Sequence, residues 1–119
     1  GHNTRHYLSA HDLMNALQLL IEKGEVGQTY NIGTVEEYKN SDVARMICEL
    51  FGLNVADHVT YITDRPFNDA RYAVDWGKIS ALGWKPQSSL RAELPVMAQW
   101  YADHYDLYET APLVRRPLE

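Results

Sequence analysis

Apolar residues follow Ser9 at helical spacing, with Leu13, Ala16, Leu17 and Leu20 on one stripe and Gly24 as a stop, so the pattern predicts an amphipathic helix. Asp12, three residues after Ser9, reads as the partner in a capping-box-like start. The stretch Gln28-Thr29-Tyr30-Asn31-Ile32-Gly33 alternates, is rich in β-branched and aromatic residues, and predicts a short strand. Ser41 is placed to cap a second helix carrying Val43, Ala44, Ile47, Leu50 and Phe51, closed by Gly52. Val59-Thr60-Tyr61-Ile62-Thr63 predicts a second strand, which Pro66 ends, and Asp75 caps a short helix running through Leu82 to Gly83. A third long helix ends near His104 with Leu94, Met97, Ala98 and Tyr101 on one face. Because proline inside a helix costs about 3 kcal/mol, Pro95 places the start of that helix near Glu93 or kinks it. The fold class is mixed α/β, with three main helices and short strands.

Composition narrows this to one domain. The 119 residues are 45% hydrophobic and 23% charged, enough for a core of ordinary size, and the single cysteine excludes an internal disulfide. The same length is too short for a complete doubly wound dinucleotide-binding sheet plus a substrate domain. Lysine and arginine number 11 against 16 acidic residues, so there is no electrostatic footprint for nucleic acid. No run approaches the roughly 20 apolar residues of a membrane span, and the expected location is cytoplasmic. Gly1 and His2 read as a tag remnant or linker, and Leu118-Glu119 as a vector scar.

Local chemistry is sparse. There is no Gly-x-Gly-x-x-Gly and no Gly-Lys-Ser/Thr, so the chain carries no phosphate cradle of its own and is expected to bind no cofactor unaided. Cys48 borders an apolar helix stripe and reads as a packed thiol. His2 and His6 lack a third ligand, and no metal site is expected. Asp64 and Asp69 flank Arg65 and Arg71, an arrangement that points to ion pairing or a hydrogen-bonded rigid loop. Arg65 stands between a strand end and a proline, which restricts its backbone and presents its guanidinium fork from a defined place, suited to a bidentate phosphate contact.

The residues Arg5-His6-Tyr7-Leu8 with His11-Asp12, GQTYNIG over 27–33, Glu37 with Asn40, DRPFNDARYAVD over 64–75, LGWKP over 82–86 and Trp100-Tyr101 together resemble the C-terminal part of dTDP-glucose 4,6-dehydratases. These are extended short-chain dehydrogenase/reductases acting on nucleotide sugars. The likeness runs over about residues 4–105, in order; YNIG and LGWxP are shared with sister epimerases and decarboxylases, whereas DRPxxDxRYAxD is narrower. It implies a substrate-binding domain over residues 5–105, with residues 1–4 and an extended tail over 106–119 outside it.

In such enzymes NAD and the catalytic Tyr-x-x-x-Lys belong to an N-terminal domain that this chain does not match. That domain is therefore an expected partner, alongside a nucleotide diphosphate sugar. The resemblance makes Arg5 and Arg65 the grip on the substrate diphosphate, puts Asn40 at the nucleotide end, and puts Asn68 where bacterial members often carry a His beside the phosphates. Asp12, Asn31 and Asp69 also match motif positions and read as structural. Two departures stand out: Phe67-Asn68 replaces the frequent Gly-His, and Glu93-Leu94-Pro95-Val96-Met97 replaces a Gly-[Ile/Leu]-Arg-Lys-Thr helix start. The implied parent reaction is dehydration of dTDP-glucose to a 4-keto-6-deoxy sugar, with this chain holding substrate rather than moving a proton or hydride. The alternative readings are a non-catalytic binding or protein-interaction module, or part of a sister nucleotide-sugar epimerase or decarboxylase. Either way an apolar face is left for a partner, which invites self-association.

Overall fold

A computed structural model describes residues 1–108. Its elements in chain order are β1 (Thr4–His6), α1 (Ala10–Lys23), β2 (Glu37–Lys39), α2 (Asn40–Leu50), α3 (Val55–His58), α4 (Gly77–Ser80), α5 (Leu90–Asp103) and a closing 3-10 turn at Tyr105–Tyr108. The mixed α/β class and the three long helices stand. The strands differ from expectation.

Neither Gln28–Gly33 nor Val59–Thr63 forms a ladder among the described residues, because strand propensity needs a hydrogen-bonding neighbour and none lies beside them. The sheet is instead a two-stranded antiparallel ribbon pairing Thr4 with Lys39, Arg5 with Tyr38 and His6 with Glu37. On the other side of β1, the Thr4 N–H donates to the Ala70 carbonyl at 2.8 Å and Thr4 bridges Arg71 in parallel. This second edge brings the 64–72 loop alongside β1. Residues 1–4, set apart by sequence, are joined to this layer: Gly1 and Asn3 carbonyls accept from the Ser41 and Asn40 N–H groups.

α1 begins as expected with Ser9, whose hydroxyl accepts from the His11 N–H. Asp12 does not close a capping box. It is buried to 2% exposure, and its two carboxylate oxygens accept the Gln87 and Ser88 N–H groups at 2.9 and 3.0 Å, pinning α1 to the α4–α5 linker. The Trp84 indole N–H donates to the Asp12 carbonyl at 3.3 Å in the same joint. Beside it lies the core of Ala16, Ile79 and Trp84, covered by Leu8, Leu19, Leu20, Tyr30, Ile32 and Trp76. The expected strand residues Tyr30 and Ile32 thus serve packing, not pairing. Asn31 is structural as read, its amide donating to the Asp75 carbonyl at 3.1 Å.

α2 starts at Asn40, with Lys39 in the cap position and no side-chain cap bond, so the cap lies two residues before the expected Ser41. Met46 and the free Cys48 are its buried residues, whereas Ile47 and Leu50 of the expected stripe remain exposed. Gly52, at φ 65°, allows the Leu53 N–H to turn back onto the Cys48 carbonyl at 2.8 Å. α3, not expected from sequence, is a single turn capped by the Asn54 side chain. Asp75 accepts the Gly77 N–H at 2.7 Å and starts α4, which stops at Ser80 before the turn at Gly83.

α5 starts earlier than expected, at Leu90. Ser89 accepts from the Ala92 N–H, and the Glu36 carboxylate accepts from the Leu90 N–H at 2.9 Å. These caps carry the helix through Pro95, which leaves the Arg91 carbonyl without its usual i+4 donor. Tyr105–Tyr108 is a 3-10 turn and not an extended tail; the rest of that expectation, 109–119, lies outside the described residues.

Candidate functional site

Alternation along β1 divides two sets of side chains. Thr4 and His6 turn to Glu37. The Thr4 hydroxyl donates to its Oε1 at 2.7 Å, Arg71 Nε donates to the same oxygen at 2.6 Å, and His6 Nε2 approaches to 4.0 Å. His6 Nδ1 shares a 2.8 Å hydrogen bond with the Thr34 carbonyl. The Arg71 hydrogen bond, then that of Thr4, holds the Glu37 carboxyl down from 4.5 to about 2. Arg71 is raised by the same bond. This network staples the 64–72 loop to the ribbon.

Arg5 is directed elsewhere. Its guanidinium donates to the Thr4 carbonyl at 2.6 Å and to Asn68 Oδ1 at 3.2 Å, and it lies 4.6 Å from the centroid of the Tyr72 ring. Arg65 donates to the same Asn68 Oδ1 at 2.9 Å. Two guanidinium forks from positions 60 residues apart in sequence therefore converge on one neutral oxygen. Neither is in an ion pair among the described residues.

The Asn68 amide nitrogen faces the other way, donating to both oxygens of Asp64 at 2.9 and 3.1 Å. Asp64 also accepts the Arg65 N–H at 2.9 Å. Of the two expectations for the acidic residues in this loop, hydrogen-bonded rigidity holds and mutual ion pairing does not. Asp64 engages an amide and a backbone N–H, Asp69 engages the Tyr72 hydroxyl, and Arg71 pairs outside the loop with Glu37. The Asp69 hydrogen bond, followed by its charge, pushes the Tyr72 phenol above its ordinary pKa.

Three of the four expected site residues, Arg5, Arg65 and Asn68, are thus brought together. Asn40 stands apart at the start of α2, where its Oδ1 accepts from the Tyr7 hydroxyl at 3.3 Å. Tyr7 is two residues on from Arg5, on the same side of the extended chain, and stacks edge-on against Tyr38. Sequence reasoning missed Asp64 as an orienting group and Tyr72 as the surface under Arg5. The signal for both lay in the DRPFNDARY spacing, which puts each of them four residues from Asn68.

A separate apolar groove of about 460 Å³ lies between the start of α1 and α5, lined by Leu8, Ala10, Leu90, Val96, Met97 and Trp100 among others. It includes none of Arg5, Arg65 and Asn68. The glycines with positive φ, Gly27, Gly52 and Gly83, sit in turns, and none opens a strand-turn-helix cradle.

The family model described as GDP-mannose 4,6 dehydratase matches residues 1–97. The chain belongs to this family. Within it, a trifunctional UDP-glucose 4,6-dehydratase, epimerase and reductase of Arabidopsis thaliana is 38% identical over 104 residues, 87% of this chain and 16% of that protein. A dTDP-glucose 4,6-dehydratase of Salmonella typhimurium is 39% identical over 108 residues, 85% of this chain and 30% of that protein. Among solved members, the dTDP-glucose 4,6-dehydratase of Streptomyces venezuelae, crystallised with NAD and a second ligand, superposes with a TM-score of 0.85 at 29% identity, covering 92% of this chain and 34% of that one. The chain is homologous to part of these dehydratases and spans about a third or less of their length. No helix among the described residues is long and apolar enough to cross a membrane.

Proposed function

We propose that this chain holds the nucleoside-diphosphate portion of a nucleotide sugar for an NAD-dependent 4,6-dehydratase, with Arg5 and Arg65 as a paired fork on the diphosphate. The observation that carries this reading is the convergence of both guanidiniums on Asn68 Oδ1 with no carboxylate on either among the described residues. Two unneutralised forks held together are a site for a multivalent oxyanion, to which each fork offers charge-assisted bonds in a plane that lysine does not match. Asn40, tethered to Tyr7, would meet the nucleoside end. NAD and the proton-moving residues belong, on this reading, to a dinucleotide-binding domain outside the match. The domain doing the holding is residues 5–105.

Calorimetric titration of the 119-residue chain with dTDP and with UDP tests the reading. Weak, salt-sensitive binding is expected, and Arg65→Ala should weaken it about tenfold or more. Binding untouched by that change would remove the arginine pair from the account. A second reading, an interaction module, draws on the exposed apolar faces of α1 and α5; it is favoured if neither nucleotide binds.

A further inference from the structure

We infer that Asp64 is a positioning residue for the Arg5–Arg65 pair and acts on it through the Asn68 amide. A side-chain amide has one end that accepts and one that donates, and only the accepting end can hold guanidinium groups. At Asn68 the choice between the two ends is made by Asp64, whose oxygens both take the amide N–H₂, so the carbonyl oxygen must face Arg65 at 2.9 Å and Arg5 at 3.2 Å. A flipped amide would aim N–H groups at two cations and oxygen at a carboxylate. The loop itself is fixed by Pro66 behind Arg65 and by the Glu37–Arg71 staple, so the relay has a rigid base.

Asn68 thereby holds two like charges in place without cancelling either. A carboxylate at position 68 would orient them equally well but would neutralise the site. The inference rests on the diphosphate reading above and names what prepares that site before the anion arrives.

The test separates orientation from charge because the two predict opposite signs. Asp64→Asn keeps an oxygen for the Arg65 N–H, so the turn survives, but it removes a negative charge from beside an anion site. If Asp64 acted only through its charge, dTDP would bind more tightly to the variant. If Asp64 orients Asn68, the substituted amide can meet Asn68 in either sense, the lock is lost, and dTDP should bind about fivefold or more weakly. Asn68→Leu removes the relay, and in that background Asp64→Asn should have no further weakening effect, a coupling read from the double-mutant cycle.

Unchanged or tighter binding by Asp64→Asn, with Arg65→Ala still losing dTDP, overturns this inference and leaves the diphosphate reading intact. Absence of dTDP binding by the parent chain, or binding indifferent to Arg65→Ala, overturns both. Circular dichroism confirms that each variant folds, and Asp64→Ser, with a single oxygen for the turn, gives the same discrimination should Asp64→Asn unfold.

Discussion

Glu37 takes hydrogen bonds from Thr4 and Arg71, and the second of these is the main reason its carboxyl titrates at about 2 in the folded chain instead of 4.5. Between those two values the unfolded chain binds a proton that the folded chain does not. Stability from this residue is therefore complete above about 4.5 and is lost as pH falls toward 2. Thermal melts of the parent and of Glu37→Gln should converge across that interval, with the variant the less stable at neutral pH; parallel curves would show that the staple contributes nothing. At this scale the sequence was informative where chemistry is carried by residue type and uninformative where it is carried by partner. Arg65 was legible because proline and a strand-like run restrict its backbone, and Arg5 only through family likeness. Hydrogen-bonded rigidity around Asp64 and Asp69 was legible in their spacing, but the partner of Arg71 was not, because the fold gives it Glu37, 34 positions away.

Helices were legible as elements because a stripe repeated over 11 to 14 residues in α1, α2 and α5 averages out local exceptions. The true strands have 3 residues each, too few for any period, and the runs that look like strands find no ladder. The start of α5 was displaced for a different reason: Ser89 and Glu36 satisfy its first N–H groups and offset the proline. The joint between α1 and the α4–α5 linker depends on Asp12, an acidic residue that composition alone would put on the surface. Asp12→Ala strips two backbone N–H groups of their acceptor in a part-buried place. A loss of about 2–4 kcal/mol is expected, seen as a fall of about 10 °C in Tm or of the urea midpoint at constant slope. A loss under about 0.5 kcal/mol would mean that water replaces the carboxylate freely.

For the molecule as a whole, the radius of gyration of 17.5 Å exceeds the roughly 13–14 Å usual for a domain of this size. Met14, Leu17 and Ile21 on α1 and Val96, Met97 and Trp100 on α5 are exposed, and apolar side chains grouped on helix faces can pair between copies. Self-association at high concentration is expected, and sedimentation velocity should show a weight-average coefficient that rises with concentration for the parent and stays flat for a Met14→Glu, Ile21→Glu variant. A parent that sediments as a monomer throughout would end that expectation. The contacts that assemble the arginine site span long stretches of chain: Asn3 with Asp69 across 66 residues, Arg5 with Asn68 across 63. Closing a loop of that length costs entropy that no local element repays, so the site exists only when the two distant parts of the chain it joins are both in place. An anion that bound only the finished pair would stabilise the folded chain by mass action, and a rise in Tm with anion concentration would read out that linkage between site and fold.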